Sequence, residues 1–155
     1  DADSFQLKRE RVDISAVIEE ACRPYMEARP MRLRLGQGHI AVADAGRLED
    51  AIGYLLENAV NFSPEGSPIE ITTSEEVAAV RIDIVDGGNG VPIEDAEKIF
   101  ERFSQRESPN TREVGGLGIG LPLSRGLIER MGGSLQVVPG SRGHFTIKLT
   151  KPDDD

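Results

Sequence analysis

Residues 114–131, V-G-G-L-G-I-G-L-P-L-S-R-G-L-I-E-R-M, constrain the fold of this chain more than any other stretch. Gly115, Gly116, Gly118 and Gly120 permit positive φ and let a bulky partner approach the backbone closely. Leu121, Leu127, Ile128 and Met131 follow at helical spacing, with Ser124 on the same face. Pro122 suits a first helical turn, where the missing N–H has no intrahelical partner to lose. A glycine run that feeds a helix gathers free N–H groups and the positive end of the helix dipole, which together suit phosphate. The same run also fits a flexible turn before an ordinary helix. Three alternating glycines with a fourth weigh towards the anion-binding reading.

Neither common phosphate loop matches. A P-loop needs Gly-Lys-Ser/Thr at the helix start, where this chain has Leu121 and Pro122. The dinucleotide fingerprint needs G-x-G-x-x-G after a strand, whereas the spacing here is G-x-G-x-G after a polar stretch.

The 155 residues suffice for one core and are short for two domains. A formal charge of −9 argues against a nucleic-acid surface, although a helix end and a few arginines still hold phosphates locally. The single cysteine, Cys22, falls among apolar helix positions and reads as a small core residue. No internal disulfide is possible, which fits a reducing compartment and a cytoplasmic location. No run approaches the roughly 20 apolar residues of a membrane span, so no direct membrane contact is expected. The chain begins at Asp1 without a methionine, which reads as a fragment of a longer protein.

Taken in order, Asp13 caps a first helix, with Val12 and Val17 as a hydrophobic staple. Its apolar face runs through Ile14, Val17, Ile18, Ala21, Cys22 and Tyr25 towards Pro30. Residues 31–35 and 40–43 alternate as short strands around a turn at 36–38. Asp44 caps a second helix with apolar positions Leu48, Ile52, Leu55, Leu56 and Ala59. Tyr54, Asn58 and Asn61 recur beside that stripe at i, i+4 and i+7, so they share a face. Asparagine forms helices poorly, and such a face serves either as a polar rim or as a site.

Residues 69–73 and 80–85 read as strands, the second with Val80, Ile82 and Ile84 on one face. It runs into Asp86-Gly-Gly-Asn-Gly-Val, either a tight turn or an acceptor beside a closely approached ligand. Ile93, Ala96, Ile99, Phe100 and Phe103 read as a third short amphipathic helix. Residues 104–114 are polar and read as a mobile loop. Residues 135–138 and 145–149 form a closing hairpin. Irregularly alternating strands and helices suggest a mixed sheet with helices on one face.

The ordered set of motifs resembles one family. Leu55-Leu-Glu-Asn-Ala-Val-Asn-Phe-Ser resembles the N box of sensor histidine kinases, and Asp86-Gly-Gly-Asn-Gly-Val their D-x-G-x-G box. Ile99-Phe-Glu-Arg-Phe resembles their F box, and Gly116-Leu-Gly-Ile-Gly-Leu their second glycine box. The likeness spans residues 12–149 in the family's order. It implies the catalytic ATP-binding domain of such a kinase: a single domain over 1–155 with an ATP lid at 104–114. The implied fold is an α/β two-layer sandwich, a mixed β-sheet with about three helices on one face, the Bergerat-type ATP-binding fold.

The resemblance also assigns roles. Asn58 would coordinate Mg²⁺, and Asp86 would accept the adenine amino group of ATP. Gly88 and Gly90 would lie against base and sugar, and Gly116, Gly118 and Gly120 would line the phosphates. Arg106 and Arg112 would reach the γ-phosphate from the lid, and Arg102 follows the family pattern. The chain departs at Tyr54, where asparagine is frequent, at Asn61, where lysine or a similar donor is, and at Leu117, where Ser or Thr is. Asn61 and Leu117 thus stand at ligand positions with weaker phosphate chemistry.

The implied activity is transfer of the γ-phosphoryl of MgATP to a histidine on a separate dimerisation domain, upstream of Asp1, with a response regulator downstream. Neither His39 nor His144 resembles the acceptor box, so this chain alone is not expected to label itself. A transfer-deficient nucleotide-binding regulatory module is the alternative. An ATPase of the gyrase and mismatch-repair branch ranks lower, because its water-activating glutamate would fall at Tyr54. Glu57 projects about 100° away from Asn58.

Overall fold

The sandwich is built on alternation. A computed structural model describes residues 6–101 and 117–153. Its strands are β1 (Glu10–Asp13), β2 (Met31–Arg34), β3 (Ile40–Ala43), β4 (Ile69–Glu75), β5 (Ala79–Asp86), β6 (Ser134–Val137) and β7 (Gly143–Thr150). Its α-helices are α1 (Ile14–Cys22), α2 (Ala45–Phe62) and α3 (Leu117–Arg130). β2, β4, β5, β7 and β6 make one mixed sheet in that order, while β1 and β3 pair separately. β2 runs parallel to β4, and every other neighbour is antiparallel.

On β5, Val80, Ile82, Ile84 and Asp86 are buried while Arg81, Asp83 and Val85 point the other way. Ile69 and Ile71 of β4, Leu135 and Val137 of β6, and Phe145, Ile147 and Leu149 of β7 extend the inner face. Leu48, Ile52, Leu55 and Leu56 of α2 close on it, with Leu121, Leu127, Ile128 and Met131 of α3 beside them. Ser124 is fully buried on that face, and its hydroxyl donates to the Ala51 carbonyl of α2 at 3.1 Å. Cys22 is buried in the core as expected, and burial, aided by Glu19, pushes its thiol up to about 11.

Four expectations change in detail. α1 stops at Cys22, because Pro24 lacks the N–H that would continue the helix, and residues 23–25 form a 3-10 turn. β2 and β3 do not pair around residues 36–38; β2 joins β4 and β3 joins β1. The third amphipathic helix is instead two separate 3-10 turns, Ile93–Asp95 and Lys98–Phe100. Only Phe100 of those turns is buried, and Ile93 is 77 % exposed, so too little apolar surface is covered to hold so short a helix. Pro122 lies inside α3 as its sixth residue, not in its first turn, because the helix already begins within the glycine run.

Candidate functional site

α2 supplies one wall of the site. Asp44 caps it by accepting the Arg47 N–H at 3.1 Å, and the buried stripe fixes its rotation. Tyr54, Asn58 and Asn61 therefore face a narrow groove against Gly120 and Leu121 of α3. Asn58 and Phe62 also line a larger cleft of about 370 Å³, whose floor includes Asp86, Gly88, Gly90 and Phe145. Asn58 thus stands where groove and cleft meet. Its Oδ1 is buried and has no hydrogen-bond partner among the described residues. A buried amide oxygen left in that state costs free energy in the ligand-free chain. A hard cation or a ligand donor would relieve it.

Asp86 is the last residue of the inward alternation on β5, so a carboxylate falls where a core side chain would stand. It is 5 % exposed, and its Oδ1 accepts the Gly88 N–H at 2.6 Å. Burial pushes this carboxyl above its ordinary value, against the Gly88 N–H and the charge of Arg29. Gly143 of β7 lies so close that any side chain there would run into the Asp86 carboxylate.

The glycines after Asp86 are crowded by protein. A Cβ at Gly88 would stand 2.7 Å from the Phe62 carbonyl oxygen, so glycine lets the turn pack on the end of α2. Gly90 has φ +81°, and a side chain there would collide with the Gly140 carbonyl in the β6–β7 connection. The backbone bond from Gly140 N to Val91 O, 3.1 Å, ties the two loops.

Phe100 meets Phe145 edge-on at 6.3 Å and lies under the Arg125 guanidinium at 4.3 Å. Arg125 also pairs with Glu97 at 2.8 and 3.1 Å. The turn before residue 101 is thereby pinned to α3. Both histidines are tied to the sheet: His39 bonds Thr73 at 2.9 Å, and His144, which also lines the cleft, pairs with Asp83 at 2.8 Å.

The structure brings Asn58, Asn61 and Gly120 to one groove and Asn58, Asp86, Gly88 and Gly90 to one cleft. Asn61 is exposed at the rim. Leu117 and Gly118 open α3 in the backbone trace. Gly116, Arg102, Arg106, Arg112 and the lid at 104–114 lie outside the described residues. Among the described residues, no group of three His, Cys, Asp or Glu could hold a metal by itself, and no helix is long and apolar enough to cross a membrane.

Sequence reasoning missed Gly143, which no local pattern sets apart from an ordinary turn glycine. It also missed Arg29, which is 5 % exposed behind the site. Its partners are 31–38 residues away, beyond the reach of any local signal.

Fold and site together define a nucleotide-binding ATPase-type domain. Residues 43–154 match the family model of histidine kinase-, DNA gyrase B- and HSP90-like ATPases, and the chain belongs to that family. It is similar to the sensor-like histidine kinase SenX3 of Mycolicibacterium smegmatis, 27 % identical over 150 residues, covering 92 % of this chain and 39 % of SenX3. The chain thus spans about two fifths of that relative's length. The fold matches the catalytic domain of the histidine kinase ThkA with TM-score 0.80 at 22 % identity, over 94 % of this chain and 97 % of ThkA's. It also matches full-length ShkA in complex with AMPPNP, TM-score 0.77 at 24 % identity, over 97 % of this chain and 33 % of ShkA's. The fold is thus that of the ThkA catalytic domain along nearly its whole length.

Proposed function

We propose that the cleft binds MgATP and presents its γ-phosphoryl group to a histidine on a separate dimerisation domain, with a response regulator receiving it afterwards. The observation that carries this reading is the buried Asn58 Oδ1, unpartnered among the described residues, at the junction of groove and cleft. ShkA, which shares the fold, is in complex with AMPPNP. The chain acts as a single domain over 1–155 in the cytoplasm, with 104–114 as its lid.

Asn58 holds the magnesium ion jointly with phosphate oxygens, since one amide oxygen is a single ligand. Magnesium, when bound, neutralises phosphate charge during phosphoryl transfer. Asp86 accepts the adenine amino group, a charge-assisted bond. Gly88 and Gly90 shape the floor beneath base and sugar. Gly116, Leu117, Gly118 and Gly120 line the phosphates with backbone N–H groups, Asn61 contributes from the α2 rim, and Arg106 and Arg112 close on the γ-phosphate. Positioning and charge neutralisation carry the catalysis.

A nucleotide-binding module without transfer activity is the second reading. Tyr54, which replaces a frequent asparagine, lies within 3.7 Å of where a Gly120 Cβ would stand and occupies part of the groove. Incubating the chain with labelled MgATP and a histidine-bearing dimerisation domain tests both readings. Acid-labile label on the added domain, and none on His39 or His144, is the expected result. Binding without transfer favours the regulatory module, and no MgATP binding at all overturns both.

A further inference from the structure

We propose that Arg29 is a positioning residue for nucleotide recognition, its buried guanidinium locking the end of α2 against the Asp86 turn. This inference rests on the MgATP reading. Arg29 stands between α1 and β2, and the Ile69 N–H bond to the Pro30 carbonyl, 2.9 Å, anchors its backbone to the sheet. From there the side chain reaches four acceptors. Nη1 donates to the Ser63 hydroxyl at 2.7 Å and the Ser67 carbonyl at 3.2 Å. Nη2 donates to the carbonyls of Val60 at 2.8 Å and Ser63 at 3.1 Å.

The last carbonyls of a helix have no partners within it and carry its negative dipole end. A planar fork with several donors matches that cluster better than a lysine does. The Ser63 hydroxyl spends its own proton on the Ala59 carbonyl at 2.6 Å, leaving its oxygen free to accept from Arg29. α2 is thereby fixed over its final turn, the turn that follows Asn58.

The lock extends across the site. α2 ends at Phe62, whose carbonyl packs so closely on Gly88 that a Cβ there would stand 2.7 Å away. Gly88 in turn donates to Asp86. Arg29 therefore holds both walls of the cleft in register, and its positive charge favours the ionised form of Asp86. Because Asp86 reads the base in this account, displacement of Arg29 degrades discrimination between bases as well as affinity. A side chain that merely holds the fold together affects thermal stability and leaves the ATP-to-GTP ratio where it was.

The test uses the whole chain with a fluorescent nucleotide displaced by ATP or GTP in magnesium, well below the melting temperature of each variant. Arg29→Met is expected to weaken ATP binding roughly tenfold and to lower the ATP-over-GTP ratio at least about threefold, with partial recovery of both in Arg29→Lys. Should Arg29→Met fail to fold, Arg29→Lys and Ser63→Ala decide, each expected to lower the ratio about twofold or more. Folded variants that melt earlier yet keep the wild-type affinity and ratio overturn the proposal. A wild-type chain that binds neither nucleotide overturns the MgATP reading itself, a distinct outcome.

Discussion

Asp83 and Asp86 lie on one strand, three residues apart, and are treated in opposite ways. Asp83 points to the outer face of the sheet, where it accepts from Arg81 Nε at 2.9 Å and the Thr146 hydroxyl at 2.7 Å and pairs with His144 Nε2 at 2.8 Å. Burial pushes its carboxyl up, but the bonds from Arg81, His144 and Thr146 outweigh that and hold it below its ordinary value. Asp86 points inward, and among the described residues its one hydrogen-bond donor is the Gly88 N–H. Burial prevails there, and the carboxyl is pushed up. The same contrast recurs between facing helices: Ser124 is satisfied by the Ala51 carbonyl, while Asn58 Oδ1 has no partner among the described residues. Asp83 and Ser124 are satisfied by the fold, whereas Asp86 and Asn58, which line the cleft, are left short among the described residues. Unmet hydrogen-bonding capacity is retained where a ligand completes it.

The sharpest way to break this contrast is to remove the orphaned amide. Asn58→Ala should weaken MgATP binding roughly hundredfold, about 2.7 kcal/mol, with a much smaller effect in EDTA. Calorimetry with and without magnesium measures it. An equal loss in both conditions would place Asn58 with the fold or the base and not with the metal.

The two aspartates provide the next test, because their substitutions should move stability in opposite directions. Asp83→Ala should cost the ligand-free chain roughly 2–3 kcal/mol at neutral pH and change ATP affinity less than about twofold. Its folded pKa is depressed, so its contribution is present above the unfolded value and is lost as pH falls through the folded one. Asp86→Asn should instead stabilise the ligand-free chain, by on the order of 1 kcal/mol at neutral pH. Its folded pKa is raised, so ionisation costs stability at neutral pH, and the gain from the amide shrinks as pH falls through that value. Urea unfolding across pH 4–8 separates them; a destabilised Asp86→Asn would show that its charge serves the fold.

Much of this contrast was legible in the sequence. The alternation through Val80, Ile82 and Ile84 projects directly onto Asp86, and the i, i+4, i+7 spacing puts Tyr54, Asn58 and Asn61 beside the core stripe. Asp44 announced α2, and its side chain does cap it. What stayed hidden was non-local. β1 has four residues with only Val12 buried, too little pattern to register. Gly88 and Gly90 read as room for a ligand, whereas their nearest neighbours are the Phe62 and Gly140 carbonyls, in segments brought together only by folding. Arg29 gave no signal, because what it holds is the end of a helix that starts 16 residues later.

The central claim is that the short-changed carboxylate reads a base, and competition between ATP and GTP tests it most directly. Adenine offers an amino donor where guanine offers a carbonyl oxygen, which would face Asp86 acceptor to acceptor. A bond to a charged group contributes about 1.5–3 kcal/mol, so the wild-type chain should prefer ATP at least roughly tenfold. Asp86→Asn, whose amide can rotate to present a donor, should narrow that preference. ATP and GTP displacing a fluorescent nucleotide from the wild-type chain at equal concentrations would contradict the claim and return Asp86 to the role of a buried turn residue.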